Sequence, residues 1–130
     1  MTVMTTRMFT HTGPRRGDVF AESTFAKQIA MIEADLIPPV VKVGNLDSMR
    51  TFADVRDAVR AYHMLVTVDP VGGEYYNIGG SYSCTVGDML HTLIGFSSRD
   101  DVEIETDPER RRPIDADLQI PQWWRNTMHR

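Results

Sequence analysis

Apolar residues recur at helical spacing in three stretches of this chain. Between Thr24 and Leu36 they fall at Phe25, Ile29 and Ile32, flanked by Ala26 and Ala30, which predicts a helix. Pro38-Pro39 should end it, because the pyrrolidine ring and the missing N–H cannot continue the ladder. A second ladder, Val55, Ala58, Val59, Tyr62 and Val66, predicts a helix running to about Val68 with one buried face. Asp54 should cap it, its carboxylate accepting from the unpaired N–H groups of the first turn. The third ladder, Val86, Met89, Leu90, Leu93 and Ile94, follows Thr85, another N-cap residue.

Strands should lie between these helices. Arg7 to Thr10 reads as a short strand entering a Gly13-Pro14 turn, after a polar, frayed start over residues 1–6. The β-branched run Val40, Val41, Val43 ends at Gly44 and reads as a second. Glu74 to Ile78, between the turn Asp69-Pro70-Val71-Gly72-Gly73 and Gly79-Gly80, reads as a third. Val102 to Glu105 alternates like a half-exposed strand, and beyond Pro108 the chain is irregular. The sum is a mixed α/β fold of about three helices against short strands. With no repeat, low-complexity tract or interdomain linker, the 130 residues read as one domain. A domain of that size buries roughly two thirds of its unfolded surface.

Charge and composition narrow the chemistry. A net charge of -4 gives no overall positive field for a nucleic-acid backbone. Of the 14 basic residues only Lys27 and Lys42 are lysine, and arginine's planar fork suits a small phosphorylated ligand. The lone Cys84 leaves no internal disulfide or cysteine-based zinc site; it fits a reducing compartment and a small buried or half-buried role. His11, His63, His91 and His129 lack ligand-like spacing, so no metal is expected. No stretch approaches a membrane span, and Met1 to Met8 lacks the apolar core of a signal peptide. A cytoplasmic protein is expected.

Several segments together resemble the GDP-mannose 4,6-dehydratases and the related GDP-4-keto-6-deoxy-mannose reductases, extended short-chain dehydrogenases/reductases. They are the run Arg7-Met8-Phe9-Thr10-His11-Thr12-Gly13-Pro14-Arg15-Arg16-Gly17, then Val43-Gly44-Asn45-Leu46-Asp47-Ser48-Met49-Arg50 and Asp54-Val55-Arg56-Asp57-Ala58. Tyr76-Asn77-Ile78-Gly79-Gly80 and Arg112-Pro113-Ile114-Asp115 complete the set. The similarity runs over about residues 7–120 and matches only the C-terminal, substrate-binding part of such an enzyme. It implies the small substrate-binding domain of an extended short-chain dehydrogenase/reductase, over residues 1–120, without a complete Rossmann domain. In the full dehydratases a hydride passes from sugar C4 to NADP, water leaves across C5–C6, and the hydride returns to C6. None of the nine glycines here forms the loop that seats the NADP pyrophosphate on a helix N-terminus. The family's catalytic Tyr and Lys, four residues apart, are also missing: Tyr62, Tyr75, Tyr76 and Tyr82 are followed at that spacing by Val66, Gly79, Gly80 and Val86.

The resemblance also implies site residues. Arg50 matches the family's contact to the substrate diphosphate; its plainer reading is a solvated loop arginine. Arg112 and Asp115 match the pair holding the nucleotide end, with Asp115 one methylene shorter than the Glu of many relatives; a surface Arg–Asp pair is the alternative. Lys27 matches a basic residue near the diphosphate, or is a solvated helix face. Thr10 stands where the family usually has Asn near the sugar, and its hydroxyl replaces only part of an amide's donor and acceptor capacity. Val43 matches a position offering backbone groups to base or ribose. Arg15 and Arg16 either line the groove or brace their loop. Trp123-Trp124 and the tail over 121–130 depart from the family pattern, as a truncated or frameshifted gene or a junction would explain, or a sticky partner surface.

The expectation is a substrate-binding domain for the GDP part of GDP-mannose or its 4-keto-6-deoxy product, inactive alone and with no cofactor of its own. Two alternatives stand beside it. One is half of a split enzyme completed by a separate Rossmann chain, or self-associated into a dimer; the other is a non-binding remnant or assembly module. No nucleic-acid or membrane partner is expected.

Overall fold

The computed structural model describes residues 1–68, 70–110 and 118–119. In chain order these form β1 (Thr5–Met8), β2 (His11–Thr12), α1 (Ala21–Glu33), β3 (Val40–Val43), β4 (Met49–Asp54) and α2 (Val55–Thr67). There follow β5 (Tyr75–Ile78), β6 (Tyr82–Thr85), α3 (Val86–Gly95), β7 (Glu103–Thr106), a 3₁₀ turn (Pro108–Arg110) and β8 (Leu118–Gln119). The fold is mixed α/β with three helices and short, largely parallel strands, as the sequence predicts. Two compact units divide it: one gathers Met1–Pro14 with Arg50–Ser83, the other Arg15–Met49 with Cys84–Leu118. Each is built from separate stretches of chain, so no single linker marks the division.

The unit beginning at Arg15 holds a well-formed core. Phe25, Ile29 and Ile32 of α1, Val41 and Val43 of β3, and Val86 and Leu90 of α3 make one buried cluster. Full burial of such side chains stabilises by about 1.5–3 kcal/mol each. β3 pairs with β7 in parallel, from Val40↔Glu103 to Val43↔Thr106. On the other edge of β3, Gln28 of α1 satisfies both backbone groups of Lys42, donating to its O (3.1 Å) and accepting from its N–H (2.8 Å). Thr85 caps α3 as expected, and Asp88 reciprocates to close a capping box.

Helix α1 corrects the predicted boundaries. It starts three residues earlier, at Ala21, and ends at Glu33, before Pro38-Pro39 can act. The stop is a left-handed Asp35 (φ 53), with Asp35 N–H donating to Ile32 O (3.0 Å) and Leu36 N–H to Met31 O (2.9 Å). These bonds satisfy carbonyls the last turn would otherwise orphan.

In the unit beginning at Met1, β1 pairs in parallel with β5, from Thr5↔Tyr75 to Met8↔Ile78. β2 pairs in parallel with β4, and β6 lies on the other side of β4. The strand expected over Arg7–Thr10 is therefore two pieces, and Thr5 and Thr6 are paired rather than frayed. β4 and β6 have no counterpart in the hydropathy pattern, because their partners come from far along the chain. Asp54 caps α2 as expected, accepting from Arg56 N–H at 2.8 Å.

The predicted buried face of α2 needs correction. Ala58 is buried, but Val59 is 61% exposed, Tyr62 40% and Val66 63%. Helix α2 meets β2 and its flank near its own first turn, where a Cβ on Gly13 would stand within 2.4 Å of Val55 Cγ1. Among the described residues the rest of the ladder is left largely exposed. Ala58 is, among the described residues, this unit's single buried hydrophobic side chain.

Candidate functional site

Arg50 is the second residue of β4, and the loop before it in sequence is bonded to itself through Asn45. Asn45 Oδ1 accepts from Asp47 N–H (3.0 Å) and Asn45 Nδ2 donates to Ser48 Oγ (2.9 Å). Ser48 is only 1% exposed, so its hydroxyl requires such a partner. The first turn of α3 also fastens this loop: Val86 N–H donates to Ser48 O (3.0 Å) and Gly87 N–H to Leu46 O (2.9 Å). Asn45 and Ser48 therefore serve as loop scaffolding through their side chains, and Asp47 through its backbone N–H.

Thr10 lies in the same unit as Arg50. Its carbonyl accepts from Ala53 N–H at 3.0 Å, and His11↔Ala53 starts the β2–β4 register. Extending that register back one residue sets Thr10 opposite Phe52, two positions along β4 from Arg50.

Val43 and Lys27 belong to the other unit. The Val43 side chain is wholly buried, and its carbonyl accepts from Asp107 N–H at 2.8 Å. Next to it, a Cβ on Gly44 would come within 2.5 Å of Arg110 O, so only glycine admits this approach. The structure thus brings Val43 against the segment 107–110 that leads toward Arg112 and Asp115. Those two residues, and Trp123-Trp124, lie outside the described residues.

Lys27 is well exposed on α1, and its Nζ donates to Asp18 Oδ2 at 2.6 Å. That hydrogen bond, with the charge behind it, holds the Asp18 carboxyl below its usual range. A ligand phosphate at Lys27 would compete with Asp18. Arg16 resolves as a brace: its guanidinium lies 3.7 Å over the Phe20 ring and its Nε is 2.5 Å from Glu22 Oε1. The Nε–H is out of line for a hydrogen bond to that oxygen, so the contact is Coulombic. Arg15 is exposed in a left-handed backbone, φ 70. Neither Glu22 nor Asp18 was legible as a partner from helical spacing.

Among the described residues no cluster of His, Cys, Asp and Glu could hold a metal ion, and no helix is long and apolar enough to cross a membrane. Cys84 is buried, as expected.

Comparison with known proteins places this architecture. The solved structure of RMD from Pseudomonas aeruginosa complexed with NADPH superposes with a TM-score of 0.77 at 31% identity, over 85% of this chain and 37% of that one. The UDP-glucose 4-epimerase of Thermotoga maritima shares the fold, with a TM-score of 0.70 at 21% identity over 92% of this chain and 37% of that one. The class this chain's fold and sequence define is the extended short-chain dehydrogenases/reductases, of which it is a part. The family model of GDP-mannose 4,6 dehydratase matches residues 1–123, and the chain belongs to that family. The GDP-6-deoxy-D-mannose reductase of P. aeruginosa is 31% identical over 110 residues. The match takes in 85% of this chain but only 36% of that reductase, so the chain spans little more than a third of its curated relative.

Proposed function

We propose that this chain binds the GDP part of a GDP-sugar, GDP-mannose or its 4-keto-6-deoxy product, with Arg50 on the diphosphate. The supporting observation is that Arg50 lies on β4, which β2 and β6 flank on either side. A guanidinium carried on paired strand backbone leaves less chain freedom to lose when it takes two phosphate oxygens. Thr10 would face the sugar, Lys27 the diphosphate once released from Asp18, and Arg112, Asp115 and the backbone at Val43 the nucleoside. The setting we infer is the cytoplasm.

The chain's own residues do not fit NADP. No glycine-rich loop is available for its pyrophosphate, and no Tyr–Lys pair is present to manage the proton at the sugar C4 hydroxyl. We therefore assign the chain a holding role, with neither dehydratase nor reductase activity by itself. Ligand-observed NMR tests the reading: saturation should transfer to GDP-mannose and GDP, and not to UDP-glucose. Equal transfer to all three, or product formed from GDP-mannose and NADP, would overturn it.

A second reading follows from the unit beginning at Met1. Its β1–β5 pair is a two-stranded parallel sheet, an arrangement that is ordinarily buried on both faces within a larger sheet. With Val59, Tyr62 and Val66 exposed beside so thin a core, the unit suits completion by a Rossmann-type chain. Activity restored on mixing with such a chain would favour it.

A further inference from the structure

Thr51 follows Arg50 on β4 and is only 1% exposed, so strand alternation turns its side chain away from the face that carries Arg50. Its Oγ1 lies 3.1 Å from Ser83 Oγ, a hydroxyl pair spanning 32 positions of sequence. Ser83 is on β6, the neighbour of β4. A buried hydroxyl needs such a partner, so the pair forms only when β4 and β6 meet in this register. The register matters because a slip of one residue turns every side chain on the strand to the opposite face. It would carry Arg50 with it. The backbone of the next residue is pressed as well: a Cβ on Gly80 would stand 1.8 Å from Phe52 O.

We infer that the Thr51–Ser83 hydroxyl pair is the positioning device for Arg50, locking β4 so that the guanidinium is held on the ligand-facing side. This rests on the proposed GDP-sugar reading for its functional consequence, but its structural content does not. The pair acts through Arg50, from the opposite face of β4.

The test uses the 130-residue chain with Thr51→Val, Thr51→Ser, Ser83→Ala, Arg50→Ala and the double variant Arg50→Ala/Thr51→Val. Valine keeps the shape and drops the hydroxyl, while serine keeps the hydroxyl. GDP-mannose affinity should fall about five- to tenfold in Thr51→Val and Ser83→Ala, and recover in Thr51→Ser. In the Arg50→Ala background Thr51→Val should add nothing further. In parallel, NMR relaxation of the Arg50 Nε–Hε group should report increased mobility in Thr51→Val and wild-type rigidity in Thr51→Ser. Equal losses from Thr51→Val with and without Arg50 would overturn the inference, as would unchanged Arg50 relaxation. If the wild-type chain binds no GDP-mannose, the functional reading fails, and the relaxation measurement alone decides the positioning claim.

Discussion

Arg99 Nη1 donates to Asp35 Oδ1 at 2.6 Å, tying the loop after α3 to the left-handed residue that stops α1. The same guanidinium holds Asp101 through both Nε (2.8 Å) and Nη2 (2.7 Å). One residue before the cap of α1, Glu33 Oε1 accepts from Ser97 Oγ, Ser98 N–H and Ser98 Oγ. These bonds, led by the Ser98 backbone N–H, hold the Glu33 carboxyl below its usual range. The end of α1 is thus set by tertiary partners as well as by its own backbone.

A β-branched side chain at position 35 should be costly. Asp35→Val should lose about 1–2 kcal/mol of stability in urea unfolding, because a β-branched residue resists the left-handed region. Asp35→Gly should stay within about 0.5 kcal/mol of wild type, since the relieved backbone offsets an exposed ion pair. Equal effects of the two substitutions would contradict the left-handed cap.

Glycines in the two units should respond to alanine in opposite directions. Gly80→Ala must push Phe52 O away from a Cβ placed at 1.8 Å and should cost at least about 2–3 kcal/mol. Gly95 ends α3 with open space around it, so Gly95→Ala should gain about 0.5–1 kcal/mol. Chemical denaturation of both variants reads the contrast directly.

The exposed ladder of α2 makes its own prediction. In the isolated chain Val59→Ser and Val66→Ser should change stability by no more than about 0.5 kcal/mol. Leu90→Ala, at a wholly buried position, should cost about 2–5 kcal/mol. A loss above about 1.5 kcal/mol in the α2 variants would mean that this face is covered, for instance by a second copy.

Acid should expose the Asp54 cap. Its carboxyl is lowered from 3.8 to about 2, first by the side-chain hydrogen bond from Arg56 and then by the Arg56 backbone N–H. A carboxyl depressed in the folded state stabilises fully above its unfolded value, and that stabilisation is lost as pH falls through the folded one. The stability gap between wild type and Asp54→Asn should therefore be constant near neutrality and shrink between about pH 4 and pH 2. Melting temperatures across that range measure it; a constant gap would show that the cap does not act through its charge.

What the sequence revealed was chiefly local. The Asp54 and Thr85 caps, the strand Val40–Val43 and the inward residues of α1 and α3 depend on neighbours a few positions away, and each is found as expected. The Arg50 loop was legible as a motif, although its spacing gave no hint that Asn45 and Ser48 bond each other. Contacts across long stretches were invisible, among them Thr51 with Ser83 and Gln28 with Lys42. The α2 ladder misled for the same reason: hydropathy says which face wants burial, not whether anything in the unit covers it.

The most direct test of the account is calorimetric titration of the chain with GDP-mannose, with UDP-glucose as control, in wild type and Arg50→Ala. The GDP-sugar should bind in preference to the UDP-sugar, with affinity about 10- to 100-fold weaker in Arg50→Ala as a charged phosphate contact is lost. Binding that ignores Arg50, or no binding of either sugar nucleotide, would contradict it.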